Sequence, residues 1–480
     1  MSNFPPSITL RLGLFFDGTA NNQGNSAITH GCLASSLEVG SEQADEFHRQ
    51  CAALGYTAHG VAPDGSYGND PSNVARLYSL YPDEAGDRIA AEADAVAVKV
   101  YLEGIGTRTG AADSRLGEAT GRGPTGVVAR VEQMPALVMQ QLRKLRNNNP
   151  GLTIGKLEID LFGFSRGAAA ARHCANDLLS EAASGLARAL PSGSPLLAPG
   201  FSWRHRLDFE INFIGLLDTV AAIAEPFPRL ISPHKAANAG INLYLAPGIA
   251  RTVVQLVASD ECRHNFPLTA TDHDIEMPGS HSDIGGGYLP LITEKLLLSK
   301  PESSLCAATI ANEQSQAYRR ALDDFKRTEH RWRSCFAPQE LNICTWETPV
   351  PSHVHGDVPQ KRVFAALAGQ RKVRGELSLV YLRIMRELAV QAGVGFDAVP
   401  TTPDYALPAE LEPIAASLLA YAMARPFSKL SVAEQSLLRR RYIHLSANWN
   451  AAIGKGSSDF DVVFINRPEE GGCRRRFRNE

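Results

Sequence analysis

Apolar positions in this chain gather into short blocks separated by polar, glycine-rich stretches. The first block, Ile8-Thr9-Leu10-Arg11-Leu12-Gly13-Leu14-Phe15-Phe16, has the length and β-rich composition of a buried strand and stops at the turn formers Asp17-Gly18-Thr19-Ala20-Asn21-Asn22. Residues 23–72 are polar with little periodicity and read as a long insertion or loop. Ala95 to Leu102 forms a second strand-like run, and a glycine-rich surface stretch follows up to residue 127. Over residues 127–147, Val128, Val131, Met134, Leu137, Val138 and Leu142 recur at helical spacing, so an amphipathic helix is predicted. Leu157 to Phe162 reads as a third strand, the alanine-rich segment Gly167 to Leu179 as a helix, and Phe209 to Leu217 as a fourth strand. Strands alternating with helices predict an α/β fold, a mostly parallel sheet with helices on both faces.

The second half changes character. Residues 289–335 and 374–445 show helical periodicity, with proline-rich breaks near 350 and 400. The expected organisation is a catalytic core over 1–290 and a mainly helical cap or accessory region over 291–480. Val462-Val463-Phe464-Ile465 is expected as a strand returning to the core.

Composition narrows the classes. With 480 residues and 44% apolar content the chain can bury a sizeable core. Its 48 basic and 51 acidic side chains leave a formal charge of −3, which gives no reason to expect nucleic-acid binding. The basic tail Arg474-Arg475-Arg476-Phe477-Arg478 reads as a solvated end. The eight cysteines form no Cys-x-x-Cys pair, which argues against a structural zinc site. No asp-rich metal loop or redox-cofactor motif is visible, so neither a metal nor a cofactor is expected. The N-terminus has no signal-peptide pattern, and no apolar run is long enough to span a membrane.

The chemistry centres on Gly163-Phe164-Ser165-Arg166-Gly167. Gly-x-Ser-x-Gly alone is short enough for chance to supply, but here it joins an apolar strand to an alanine-rich helix. That is the strand–turn–helix setting in which a serine projects from the top of a sheet, with Gly163 and Gly167 allowing close approach. A serine hydroxyl needs a base and the base needs an acid, in the chain order Ser, Asp, His for this architecture. Asp218 ends the fourth strand, and His281 lies in the glycine-rich loop Pro278 to Tyr288. The oxyanion donors are expected from the N–H of Arg166 and from Gly18 or Thr19, with Asp17 orienting that loop. Asp283 stands too near His281 in sequence to grip its ring, and His444 reads as a structural or substrate-side histidine.

Four segments together resemble a known family: Phe15-Phe16-Asp17-Gly18-Thr19-x-Asn21, Gly163 to Ala168, Leu217-Asp218-Thr219-Val220 and Gly279 to Tyr288. They are similar to motifs of the type VI secretion lipase effectors of the first class. Lesser echoes are Gly104-Ile105-Gly106-Thr107 and Asp260 to Phe266. The resemblance implies an antibacterial phospholipase of the A type with an α/β-hydrolase fold, Ser165 as nucleophile, Asp218 as acid and His281 as base. It further implies a membrane phospholipid substrate, a cognate immunity protein and a type VI spike or tube carrier. Synthesis in the cytoplasm without a signal peptide and delivery into the target cell's periplasm would follow. Two other functions remain open on the residues alone: a soluble carboxylesterase acting on small acyl esters, and a non-catalytic binding protein on a hydrolase fold.

Overall fold

The computed structural model describes residues 7–27, 66–114, 121–221, 240–351, 358–426, 429–451 and 464–480. Its central sheet is built from β1 (Ser7–Phe16), β2 (Ala95–Leu102), β3 (Thr153–Phe164), β4 (Phe209–Leu217), β5 (Thr252–Ala258) and β7 (Asp274–Met277), in the order β2-β1-β3-β4-β5-β7. Every pairing in this sheet is parallel. A short strand β6 (Leu268–Thr269) lies off it.

The two faces of the sheet are covered separately, and the period-two alternation of the strands shows how. Leu10, Leu12, Leu14 and Phe16 of β1 enter one core cluster, whereas Phe15 enters the other. The first cluster receives α2 (Val127–Asn148) and α3 (Arg166–Leu178). In α2 the buried stripe is Val127, Val131, Met134, Val138, Leu142 and Leu145, so Val128 and Leu137 stand at its margin. In α3 the run Ala168 to Ala171 is fully buried, and its small side chains let the helix lie close to the strands. The second face is covered by α1 (Asn73–Leu80) and by a helix from much later in the chain, α6 (Leu377–Gln391), through Leu377, Val380, Tyr381, Ile384 and Met385. An α/β-hydrolase-like sheet with helices on both faces is therefore present, as the strand–helix alternation predicts.

The expectation of helix over 289–335 is corrected. β8 (Leu291–Leu297) and β9 (Glu302–Ala307) occupy its first part, and only α5 (Gln316–Trp332) is helical. Both strands pair antiparallel with β11 (Gln360–Arg374), which also pairs with β10 (Leu341–Val350). The short apolar stretches Leu291-Ile292 and Leu296-Leu297 do not by themselves distinguish helix from strand, but the ladder to β11 supplies their backbone partners. Residues 291–480 are thus mixed rather than mainly helical. The region 374–445 does hold helices: α6, α7 (Glu412–Ala422) and α8 (Val432–Arg441). Most of the predicted 23–72 loop, and Val462 and Val463, lie outside the described residues, while Phe464 and Ile465 are not in a strand. The described C-terminal strand is instead β12 (Arg476–Phe477), which pairs in parallel with β6.

Candidate active site

The strand order reverses direction at β1 and β3, and in open α/β sheets ligands bind beyond the carboxyl ends of the strands at such a point. Phe16 at the end of β1 pairs with Gly163 near the end of β3. The loop Asp17-Gly18-Thr19 and the candidate nucleophile Ser165 therefore emerge side by side. Ser165 has φ +56° and ψ −125°, a strained conformation for a residue with a Cβ, costing on the order of 1–3 kcal/mol. The two glycines make the turn possible. A Cβ on Gly167 would sit 2.2 Å from the Phe16 carbonyl oxygen, and one on Gly163 would sit 2.6 Å from the Ala168 Cα.

Asp218 stands at the end of the neighbouring strand. The Ser165 N–H donates to the Leu217 carbonyl at 3.0 Å, and the Val220 N–H reaches the Ser165 carbonyl at 3.4 Å. The Asp218 side chain is fully buried and accepts from four donors. Oδ1 takes the Ala258 N–H at 3.0 Å and Arg474 Nη1 at 2.7 Å. Oδ2 meets His281 Nδ1 at 2.5 Å and Arg474 Nη2 at 2.9 Å. Burial alone would raise this carboxyl, but the Arg474 guanidinium and the bond to His281 hold it well below the usual carboxylate range.

His281 opens the short helix α4 (His281–Gly285) and is itself buried. Its ring packs on Phe164, the residue before Ser165, with centroids 4.7 Å apart, and on Phe266 at 4.8 Å. Gly285 permits this contact, since a Cβ there would lie 2.0 Å from the Phe164 ring. Burial pushes the imidazole below its ordinary value, against the pull of Asp218. Ser165, Asp218 and His281, which are far apart in sequence, are thus brought to neighbouring positions beyond the carboxyl ends of the central strands β3 and β4.

The loop that follows β1 is held by its own carboxylate. Asp17 Oδ1 accepts the Gly18 N–H at 2.7 Å and the Ser72 hydroxyl at 2.6 Å, while Oδ2 accepts the Tyr101 hydroxyl at 2.5 Å. The Gly18 N–H, expected with Thr19 as an alternative oxyanion donor, is engaged by Asp17 in this structure. The Thr19 N–H donates to no group among the described residues, and the Thr19 hydroxyl accepts from Arg166 Nε at 2.7 Å, which ties the loop to the start of α3. Gly18, Thr19 and Arg166 stay the candidate oxyanion donors. Burial pushes the Asp17 carboxyl up to about 6, against the three hydrogen bonds it accepts.

Two groups around Asp218 and His281, Arg474 and Glu261, carry no signal in the sequence, whereas Asp283 keeps off the His281 ring as its position in the sequence predicts. Arg474 was expected in a solvated tail, yet its side chain is 4% exposed and clamps Asp218. The tail turns inward because β12 pairs with β6, and Arg475 and Arg476 beside it are partly exposed. Nothing in local spacing announces this contact, which joins positions 256 residues apart. Glu261, paired with Arg263 and accepting from the Ser446 hydroxyl at 2.9 Å and the His281 N–H at 3.3 Å, supports the backbone of the His281 loop. Burial would raise it, but Arg263, Arg474 and His281 bring it down to about 2. Finally, Asp283 leaves His281 alone. It caps α4 through the N–H and hydroxyl of Ser280 and meets His444 Nδ1 at 2.6 Å, where His444 stacks on Tyr288.

A groove of about 420 Å³ lies between α7, α8 and the loops at 259–260 and 276–278, with Leu418, Tyr421, Leu430, Leu438 and Ile443 among its walls. None of the three candidate catalytic side chains lines it. Among the described residues no cluster of His, Cys, Asp or Glu has the makings of a metal site, and no helix is long and apolar enough to cross a membrane.

No family model and no curated protein matches the chain. Among solved structures, that of the Tle1 effector bound to the VgrG spike from the type 6 secretion system aligns with 99% of this chain and 94% of its own, at 27% identity and a TM-score of 0.70. An uncharacterized protein from Pseudomonas aeruginosa aligns with 90% of this chain and 52% of its own at 18% identity, with a TM-score of 0.37 that is too low to carry an argument.

Proposed function

From the premise that the chain belongs to the type VI secretion lipase effector family of Tle1, we propose that it is a serine-dependent phospholipase of the A type, delivered as an antibacterial effector. The observation that carries the reading is the His281 Nδ1 to Asp218 Oδ2 contact of 2.5 Å at the strand end adjoining Ser165, which itself occupies the strained turn.

The Nδ1–H of His281 donates to Asp218, which leaves Nε2 as the basic nitrogen. Nε2 takes the Ser165 proton as Oγ attacks the ester carbonyl of a glycerophospholipid. The carbonyl oxygen becomes an oxyanion, met by the N–H of Thr19 in the loop after β1 and by that of Arg166 at the start of α3, where the helix dipole also favours negative charge. The tetrahedral intermediate collapses, the acyl group stays on Ser165, and the imidazolium gives its proton to the departing lysophospholipid oxygen. Water then enters, His281 takes its proton, and the acyl-enzyme is cleaved to fatty acid and free Ser165. None of these steps requires a cofactor. Asp218 remains ionised throughout and stabilises the imidazolium.

The family membership also supports a spike-type carrier, since the aligned Tle1 effector is bound to VgrG, and export by a type VI apparatus. A cognate immunity protein in the producing cell and a periplasmic site of action complete the proposal. The test is product analysis of a phospholipid carrying two different acyl chains, with short-chain esters as a parallel panel. Release of one of the two fatty acids by wild type and none by Ser165→Ala is expected. Turnover of the short esters alone would replace the phospholipase by a carboxylesterase, and no hydrolysis of either would leave a binding protein.

A further inference from the structure

We propose that Arg474, carried by the C-terminal tail, is a positioning residue that keeps the Asp218 carboxylate paired and aimed at His281. The inference rests on the reading of Ser165, Asp218 and His281 as the catalytic triad.

A buried carboxylate must be paired, because an ionised group enclosed in the protein otherwise loses its hydration without compensation. While His281 is neutral it supplies one hydrogen bond and no charge. Arg474 supplies the charge, with its two terminal nitrogens 2.7 and 2.9 Å from the two carboxylate oxygens. This planar two-point grip fixes the rotation of the carboxylate, and a single-point cation would not. The third guanidinium nitrogen, Nε, donates to the Phe266 carbonyl at 2.6 Å, and the Phe266 ring packs on His281. One side chain therefore holds both the acid and a wall of the base's pocket. The neighbouring tail cations have different work: Arg475 and Arg476 lie half-exposed beside Glu469 and Glu276.

The charged groups around His281 are Asp218 and Glu261 on the acidic side, and Arg263 and Arg474 on the basic side. Removing Arg474 leaves two carboxylates facing one guanidinium. The imidazolium is then favoured, so the base stays protonated to higher pH and the acid limb of kcat/KM moves upward.

The experiment measures fatty-acid release from mixed-chain phospholipid vesicles across pH 5 to 9 for wild type, Arg474→Gln, Arg474→Lys and Arg475→Gln. Arg474→Gln is expected to lose about 10- to 100-fold in kcat with little change in KM, and its acid limb to move up by about one pH unit. Arg474→Lys restores the limb to the wild-type position and part of kcat, and Arg475→Gln matches wild type. An Arg474→Gln profile with the wild-type limb, or an Arg474→Lys protein as defective as Arg474→Gln, overturns the proposal. If Arg474→Gln loses its cooperative thermal transition, Arg474→Lys decides alone: reduced kcat with an unmoved limb supports the role, and wild-type kcat or a moved limb overturns it. Failure of the triad reading looks different, because Ser165→Ala then keeps hydrolysis or wild type has none. In that event the His281 ring is titrated by NMR in wild type and Arg474→Gln, and an unchanged midpoint overturns the positioning role.

Discussion

Two buried histidine–carboxylate pairs each have one member on α4, His281 in the first and Asp283 in the second, and their contrast shows what separates a candidate base from a structural clamp. His281 meets Asp218 at 2.5 Å, and His444 meets Asp283 at 2.6 Å, each through Nδ1. Judged by that contact alone they are equivalent. Their surroundings are not. Asp218 ends a strand of the parallel sheet beside Ser165 and has a buried arginine as counter-ion, whereas Asp283 spends its other oxygen on Ser280 and on the His444 N–H. The His281 ring packs on Phe164, next to the strained turn, while the His444 ring is stacked on Tyr288 at 3.7 Å. His444 Nε2 is buried and has no hydrogen-bond partner among the described residues. A histidine and an acid in contact therefore make an orienting pair, and the remaining ring nitrogen must face a reacting atom before the pair can act as a base.

The largest effect that tests this contrast is removal of each ring. His281→Ala is expected to lower kcat/KM for phospholipid hydrolysis by roughly 10³-fold or more, while His444→Gln stays within about 10-fold of wild type. Equal losses in the two variants, measured on the same vesicles, would erase the distinction. The carboxylates sharpen it further. Asp218→Asn should cost on the order of 10³- to 10⁴-fold in kcat with the fold retained, because the amide favours the wrong imidazole tautomer. Asp283→Asn should instead appear in denaturant unfolding as a loss of roughly 1–3 kcal/mol, since it weakens both the helix cap and the bond to His444. A Asp283→Asn protein of unchanged stability would show that the second pair is not a clamp.

A smaller effect concerns the loop that follows β1. The Asp17 carboxyl is raised by burial from its ordinary value of 3.8 to about 6 in the folded chain. Between those values the folded state binds more protons at this group than the unfolded state, so its contribution to stability is greatest below pH 4 and declines as pH rises toward 6 and beyond. Asp17→Asn removes the titration. The stability of the variant relative to wild type should then improve by roughly 2–3 kcal/mol between pH 4 and pH 7.5. A pH-independent difference, read from urea unfolding at several pH values, would contradict the burial argument.

How much of this was legible beforehand depended on sequence distance. β1, β3 and α3 could be read directly, because a buried strand and an alanine-rich helix each carry their own periodicity, and Ser165 lies where they join. Asp218 could be placed at a strand end for the same reason, and the loop glycines pointed to His281. The grip of Arg474 on Asp218 had no local signal: in a run of arginines, only the pairing of β12 with β6 determines which one turns inward. The antiparallel sheet of β8 to β11 was not legible because short apolar stretches such as Leu296-Leu297 suit helix and strand alike, and the partner β11 begins about 60 residues later. α6 shows the converse, a helix readable from its own pattern whose packing against the far face of the central sheet was not.

The most direct test of the central claim is covalent trapping of the nucleophile with a long-chain alkyl phosphonate ester, followed by peptide mass mapping. The account predicts a single stoichiometric adduct on Ser165, abolished in Ser165→Ala and slowed by His281→Ala, with phospholipid hydrolysis lost in proportion to labelling. A fully labelled Ser165 that leaves hydrolysis intact, or hydrolysis retained by Ser165→Ala, would contradict it.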